Sequence, residues 1–536
     1  MRVFVLTLAA SLALASCGDS SGPPPFTGDP DAADVQLVVD VAMNRRAISP
    51  LVYGINQDVD YASDRSAIVR SGGNRLTAYN WENNASNAGS DYCHQNDATF
   101  GGPGSSPAAA FRELLDQARS RGTAAIVTIP IVDDVAADHD DLGDVGQGPP
   151  ACVGDVANSG GNYLIDRFAK NHPRKGSAFS SSPDPNDDAV YQDELVAYLE
   201  SNWGDVPIYV SLDNEPELWS STHARIHPAA VTYAELVARS IAFADAAKDA
   251  WPEVPVLGFV SYGYAGYTNL QSASDAGAHG PFIPYYLEQM EAAEASTGHR
   301  LLDLLDVHWY PEARGGGIRI TETSGATAAE ERMQAPRSLW DPAYEEDSWI
   351  VNDVLHQPIR LVPWLREQID ASYPGTGLAI TEWNYGGGDH ISGAIATADA
   401  LGVFGREGVD LATLWLLHGD EPFTRAGLRA FTNYDGAGHG FESTSVSATS
   451  SDAARVTVYA SHGAGDRVVL VVLNKHDAPL DAGLSVAGAG SFDRASRWVL
   501  SGSNPSFVAS SELGATLDHR FVVPLPARSV TVVVPE

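Results

Sequence analysis

Between residues 50 and 420 the chain alternates short, unbroken apolar runs with longer amphipathic stretches. Eight runs rich in β-branched residues stand out: "LVYGIN" (51–56), "GGNRLTAY" (72–79), "AAIVTIP" (124–130), "PIYVSLDNEP" (207–216), "VPVLGFVSYG" (254–263), "LLDVHWYP" (304–311), "GLAITEWNYG" (377–386) and "LATLWLLH" (411–418). Continuous rather than alternating hydrophobicity is what a strand buried on both faces requires. Between them, "PAAAFRELLDQARSRG", "DAVYQDELVAYLESNWG", "YAELVARSIAFADAAKDAW" and "ISGAIATADALGVFGREG" carry apolar positions at helical spacing. Eight buried strands with helical crossovers predict an α/β fold, a (β/α)8 TIM-like barrel over 51–430, with functional side chains at the C-terminal strand ends. A doubly wound open sheet is the rival, but no glycine-rich nucleotide turn opens a helix after the first strand.

After about residue 430 the period changes to short alternating runs broken by turns, such as "ARVTVYASHG", "DRVVLVVLNK" and "HRFVVPLPARSVTVVV". This is antiparallel material and predicts an additional β-sandwich domain over 431–536. The run "VQLVVDVAMNRRAIS", within 34–50, has the same character and is expected to join that sandwich from the other end of the chain. Residues 1–17, "MRVFVLTLAASLALASC", have the form of a secretory signal and are too short for a membrane span. Their ending, Leu14-Ala15-Ser16-Cys17, resembles a bacterial lipobox, with Cys17 lipidated as the first mature residue; a plain signal cut nearby is the alternative. Residues 18–33, rich in Pro, Gly, Ser and Asp, read as a flexible tether. The expected location is therefore secreted or cell-envelope, as a bacterial lipoprotein that meets a membrane only through its lipid.

Asp and Glu total 69 against 33 Lys and Arg, a formal charge of −36 that repels nucleic acid and anionic headgroups and favours a neutral or cationic partner. Solubility or salt adaptation accounts for the same excess. Cys93 and Cys152 form an even pair in an oxidising compartment, open to a disulfide or to two free thiols.

Two of the runs end in carboxylic acids. Glu215 follows Asn214 in "YVSLDNEPE", and Glu382 ends "AITEWNYGG" before an aromatic, glycine-rich loop. Counted as the fourth and seventh strands, both open onto one rim of the barrel, the arrangement glycoside hydrolysis needs: one carboxyl to donate a proton, another to attack or to activate water. Asn214 is placed to hydrogen-bond the sugar hydroxyl beside the scissile bond. Arg75, assigned to the second strand's end, is read as holding the nucleophile through charge-assisted hydrogen bonds, a structural salt bridge being the equal alternative. Directions alternate along the sixth strand, so only one of each neighbouring pair there is expected to face inward. Tyr310 is placed near Glu382, and His308 against the substrate.

Aromatic faces stack on the apolar C–H edges of pyranose rings. Trp81, Trp219, Trp340, Trp383 and Trp415 are the candidates, Trp415 being best placed beneath the cleaved sugar, whereas Trp309 and Trp349 suit core packing equally well. His223 and His227 lack an "HExxH" context and are read as ordering the loop after Glu215 rather than as zinc ligands. The acidic run "SSPDPNDDAVYQDE" places Asp184, Asp187 and Asp188 ahead of a helix, where they suit either hard-oxygen calcium ligation or stabilisation of the helix N-terminus. Glu82 is within sequence reach of the same ion.

The segments "GGNRLTAYNWENNASNAGSDY" (72–92), "LDNEPELWSSTHARIHP" (212–228), "DVHWYPEA" (306–313) and "ITEWNYGGG" (380–388) resemble glycoside hydrolase family 44, bacterial enzymes that cut β-1,4-glucans and xyloglucan. The resemblance spans roughly 35–536. It implies a retaining mechanism with Glu215 as acid/base and Glu382 as nucleophile, no cofactor for the chemistry, and a structural calcium. A polysaccharide-binding monomer acting as an endo-β-1,4-glucanase or xyloglucanase is the expectation. A non-catalytic glycan-binding lipoprotein, or the same mechanism on mannan or xylan, are the alternatives.

Overall fold

The computed structural model describes residues 28–56, 60–98, 106–139, 154–185 and 189–536. Cys17, the signal segment 1–17, Cys152, Asp187 and Asp188 lie outside the described residues, as does most of the 18–33 tether.

Eight parallel strands close into a barrel: β1 (Gly54–Asn56), β2 (Ile68–Ser71), β3 (Ala124–Ile129), β4 (Ile208–Leu212), β5 (Val256–Ser261), β6 (Leu304–Trp309), β7 (Gly377–Trp383) and β8 (Leu411–Leu414). Closure runs through β8 beside β1, with Thr413 opposite Gly54. The continuous apolar runs have their explanation here. β3, for instance, is buried at every position because helices cover its outer face while its inner face lines the barrel. Ile68, Ala124, Ile126, Leu257, Leu304, Ala379 and Leu411 form a compact apolar cluster inside it, leaving the opposite end for polar side chains.

Seven of the eight expected runs contain the barrel strands; the second does not. The strand is Ile68–Ser71, while residues 72–79 turn into a four-residue helix, Asn74–Thr77. Tyr79–Asn80 then enters a small antiparallel sheet with Ala85–Asn87 and Asn96–Asp97. The true strand is only four residues long and is interrupted by Arg70, so its hydrophobic signature is weak. All four amphipathic stretches are helices, Ala109–Arg121, Gln192–Trp203, Tyr233–Ala250 and Ile391–Glu407.

The C-terminal strands form one curled, mostly antiparallel sheet. Its order is Val508–Gly514, Arg494–Ser501, Ser529–Pro535, Val468–Asn474, Val456–His462, Thr444–Ser450, Val35–Asp40, Leu480–Ala487 and Phe521–Leu525. Val35–Asp40 pairs antiparallel with Thr444–Ser450 and parallel with Leu480–Ala487, so the start of the described chain completes the sandwich. The run "VVLVVLN" is buried throughout because alternate side chains serve two cores. Val468, Leu470 and Val472 fill the sandwich, while Val469, Val471 and Leu473 pack toward the barrel. Helix Ile391–Glu407 lies between the two bodies, and every residue from Ile391 to Gly405 is buried, which explains its small, apolar composition.

That junction also buries charge. Lys475 Nζ lies 2.5 Å from Asp399 Oδ2, both side chains 1% exposed, and Tyr459 donates to the other oxygen at 2.6 Å. Removing one member of a buried pair strands the other in a poorly solvating medium. Lys475→Met is therefore expected to cost about 3–5 kcal/mol of stability, read by urea denaturation, with much of it regained in the Lys475→Met/Asp399→Leu double variant.

Candidate active site

At the end of β4 the backbone is bent into two left-handed residues, Asp213 (φ 66°) and Glu215 (φ 48°). Such conformations cost energy for residues with a Cβ and persist where surrounding contacts over-determine them. Here Asp213, fully buried, accepts hydrogen bonds from Thr77 Oγ1 and Ile131 N (each 2.7 Å), Asn214 N (2.8 Å) and Trp219 Nε1 (3.2 Å). Burial pushes its carboxyl up to about 6 against the pull of those donors. Glu215 N bonds the carbonyl of Val260 on β5 at 2.9 Å, and Pro216 follows. The turn aims the Glu215 carboxyl into the barrel mouth.

Across the mouth, Glu382 on β7 meets two hydrogen-bond donors and, farther off, an imidazole nitrogen. Arg70 Nη1 on β2 lies 2.6 Å from Oε1, Tyr310 OH donates to Oε2 at 2.9 Å, and His308 Nδ1 stands 3.6 Å from Oε2. Arg70 is wholly buried, and it also bonds Asn56 Oδ1 (3.1 Å) and Asn214 Oδ1 (2.9 Å). Gly72 makes room for it, since a Cβ there would stand 2.2 Å from the guanidinium carbon. His308 Nδ1 also reaches Glu215 Oε1 at 2.8 Å, so one imidazole bridges both acids. Because it faces carboxylate oxygens, Nδ1 carries a proton.

Burial alone would raise Glu382, but the charges of His308 and Arg70, with the Arg70 and Tyr310 hydrogen bonds, outweigh it and hold the carboxyl below its ordinary value. His308 moves the other way. Burial pulls it down, yet the two glutamates prevail and raise it. The environments of the two acids therefore differ: Glu382 is held by Arg70 and Tyr310 with His308 nearby, whereas Glu215, with 15% side-chain exposure against 7%, has His308 as its one side-chain partner among the described residues and lines an open cavity.

That space is a cavity of about 230 Å3 lined by Glu215, Tyr262, Tyr264, Tyr310, Glu312 and Trp349, among others. Trp415, partly exposed, packs its ring beside Gly73, whose backbone N–H bonds Asn214. Asn214 and Tyr310 thus sit with the two glutamates, as expected.

Several expected site residues lie elsewhere. Arg75 does not touch Glu382; it makes a two-pronged bond to Asp97 at 2.7 and 2.9 Å, because the segment carrying it is a helix beyond the strand end. Arg70 takes the place expected of Arg75. His308 is buried beneath the acids rather than exposed to substrate; Tyr310, one residue past the end of β6 and two from His308, turns to the same side, toward Glu382. Trp81, Trp219 and Trp383 have no exposed surface and cannot stack on a sugar. Trp340 packs against the Arg406 guanidinium, 4.1 Å from its ring centre, in a hollow at the sandwich junction. Trp349, for which core packing was an equal reading, lines the cavity instead.

Of the expected calcium ligands, Glu82 is buried and Asp184 exposed, while Asp187 and Asp188 lie outside the described residues. Among the described residues no cluster of metal-type ligands includes either Glu82 or Asp184. Cys93 is disulfide-bonded. His227 pairs with Glu235 at 3.0 Å, and His223 is buried, its imidazole lowered to about 3 by burial and by the charge of His94; among the described residues neither belongs to a cluster of metal-type ligands.

The residues that sequence reasoning missed are Arg70, Asn56, Tyr262 and Tyr264. For Arg70 a signal existed: a lone arginine in an otherwise apolar strand run, "AIVRS", ahead of two glycines.

A family model described as glycoside hydrolase family 44 matches residues 85–313. "Endoglucanase A" of Paenibacillus lautus is 40% identical over 543 aligned residues, covering 97% of this chain and 75% of that protein. This chain belongs to glycoside hydrolase family 44. The fold agrees throughout. A Paenibacillus polymyxa xyloglucanase of this family, solved with xyloglucan, superposes with a TM-score of 0.86 at 37% identity, covering 94% of this chain and 99% of that one. Cel44A, a family 44 endoglucanase from Clostridium thermocellum, gives 0.85 at 39% identity with the same coverage. The family 44 chain is thus a glycoside hydrolase with an eight-stranded parallel barrel and a second, mostly antiparallel β domain.

The contrast between the two arginines is directly testable. Arg70→Met is expected to lower kcat on a soluble β-glucan by about 10²–10³-fold, the scale for losing a preorganised charged donor. Arg75→Ala should leave kcat within a few-fold while lowering the melting temperature.

Proposed function

We propose that the protein is a retaining endo-β-1,4-glucanase acting on β-1,4-glucan or xyloglucan chains. One observation carries this reading: a carboxylate oxygen of Glu215, one of Glu382 and Nδ1 of His308 all lie within 4.8 Å of one another. Retaining pairs are separated by about 5–5.5 Å, whereas an inverting pair needs about 6.5–9.5 Å to admit water between acid and base.

In the first step Glu382, ionised, attacks the anomeric carbon as the glycosidic C–O bond breaks, and Glu215 passes its proton to the departing oxygen. The result is a glycosyl ester on Glu382. In the second step Glu215 takes a proton from water, the resulting hydroxide displaces Glu382, and the product leaves with its original anomeric configuration. Arg70 and Tyr310 keep Glu382 an anion aimed at the sugar, and His308 offsets negative charge between the acids. Asn214 fits a bond from its amide to the sugar's 2-hydroxyl, with Arg70 fixing its orientation. Trp415 supplies an apolar platform for the cleaved sugar, and Tyr262, Tyr264 and Trp349 a wall for the departing part of the chain.

The open-ended polymer as substrate is supported by relatives named endoglucanase and by a family structure with xyloglucan. Lipid anchoring on Cys17 and a structural calcium near Asp184, Asp187 and Asp188 belong to the same proposal and rest on sequence alone.

Glu215→Gln is expected to lower kcat on xyloglucan by about 10²–10⁴-fold and Glu382→Gln at least as much, each still retarded by the glucan in affinity electrophoresis. Wild-type rates in either variant contradict the assignment. Proton NMR during hydrolysis should show the β anomer of the new reducing end first. On pH, the sign follows from Glu382. It must be ionised to attack and its carboxyl is held below the ordinary 4.5, so activity falls only as pH drops through that lowered value. Full activity at pH 5 is the expected outcome of a kcat/KM profile.

A further inference from the structure

The beginning of the sandwich and the end of helix Ile391–Glu407 enclose a hollow of about 560 Å3 that the proposed reaction does not use. Arg45, Arg46, Arg406 and Trp340 line it, together with Thr449 and Ser450 of the strand Thr444–Ser450. In a barrel the crossover helix runs back from the C-terminal strand ends to the opposite face. This one has 17 residues and spans about 25 Å, so the hollow lies at the far end of the helix from the Glu382 loop and is separate from the cleft.

Its charge runs against that of the chain. The protein carries a formal −36, yet three arginines meet here, and Glu407 is the one carboxylate among the described residues that line the hollow. That carboxylate is already engaged, with Arg406 Nε 2.8 Å from Glu407 Oε1. Arg406 Nη2 is buried and has no partner among the described residues. Arg45 donates to the Val41 carbonyl at 2.7 Å and lies 3.3 Å from His462 Nδ1. Arg46, exposed on the short strand Arg46–Ala47, has no side-chain hydrogen bond, and among the described residues neither of these two arginines meets a carboxylate. Gly408 lets the Arg46 side chain lie over the helix end: a Cβ there would stand 2.2 Å from Arg46 Nη1.

Trp340 is partly exposed and brings a flat apolar surface to the same hollow. A guanidinium presents parallel N–H donors that match the two oxygens of a carboxylate, and an indole receives the apolar C–H edge of a pyranose. Unclaimed guanidiniums beside a tryptophan therefore suit a sugar that bears a carboxylate. The field of a strongly negative protein opposes a continuous polyanion, whereas an acid group carried singly on a neutral chain meets far less of it.

We propose that this hollow binds a uronic-acid unit carried on an otherwise neutral polysaccharide, and so anchors such a chain away from the cleft. The proposal does not depend on which glutamate attacks, since no cleft residue takes part.

The test is isothermal titration calorimetry of the full protein with glucuronic-acid-substituted xylotriose and, separately, with xylotetraose, which lacks the acid. Wild type should bind the acidic sugar about tenfold more tightly, the scale of one hydrogen-bonded charge. Arg45→Gln/Arg46→Gln should erase that preference while leaving the affinity for xylotetraose, and the rate on a soluble β-glucan, within about twofold, because both positions are remote from the cleft. Equal affinity for the two sugars in wild type, binding of neither, or a preference that survives in the double variant overturns the proposal. If the arginines serve only to offset the carbonyl end of the helix, the double variant melts at lower temperature with its sugar binding unchanged, which is the same contrary result. Sodium acetate at the concentration of the sugar should not displace it; displacement would reveal a site for simple anions and also overturns the proposal. Trp340→Leu, which keeps apolar volume but removes the ring, should weaken the acidic sugar about fivefold, and unchanged affinity there counts against a sugar in the hollow.

Discussion

A guanidinium wholly removed from water is tolerable only if its charge is matched, and the match between Arg70 and Glu382 at 2.6 Å is the contact on which the rest of the site depends. Through Asn56, Asn214 and Glu382, Arg70 joins β1, β4 and β7 to β2, so one buried cation holds four strand ends in register around the reaction centre. A pair of this kind contributes little net stability once desolvation is counted. Its value lies in keeping a carboxylate ionised and oriented in a place where burial favours the neutral acid.

The remaining groups follow from that fixed anion. His308, held between two carboxylates, keeps its proton and brings a second positive charge to a mouth that would otherwise contain two competing negative ones. The strained turn at Asp213 and Glu215 is stabilised from below by hydrogen bonds to the Asp213 carboxylate, which hold the Glu215 carboxyl opposite Glu382 with the His308 imidazole between them. Two glutamates of identical covalent chemistry thereby acquire different surroundings, the difference on which the proposed division into acid/base and nucleophile rests.

The barrel was legible in the sequence because strands buried on both faces must be apolar throughout, and seven of the eight runs contain their strands for that reason. Glu215 and Glu382 were legible for a related one: an acid at the end of such a run has nowhere to go but the barrel mouth. β2 was not legible, since four residues interrupted by an arginine look like a loop, and with it the partner of Glu382 was misassigned to Arg75. Tryptophans were the least legible class. Trp219 and Trp383 flank the catalytic motifs in sequence yet face the core, Trp340 faces the sandwich, and Trp349 reaches the cleft from a long segment beyond β6, because which way an aromatic points is decided by tertiary packing rather than local pattern. The helix Ile391–Glu407 shows the converse. Its unusually apolar composition becomes intelligible only when a second domain is seen to cover its outer face.

The central claim is that buried positive charge makes Glu382 the attacking group of a two-step displacement. Incubation with a 2-deoxy-2-fluoro-β-cellobioside bearing an activated leaving group slows both steps and lets the ester accumulate, so intact-mass and peptide spectra report which residue is labelled. A single added fluorocellobiosyl mass on the peptide containing Glu382 is the outcome this account requires. Labelling of a different carboxyl, or turnover with inverted product and no adduct, would contradict it.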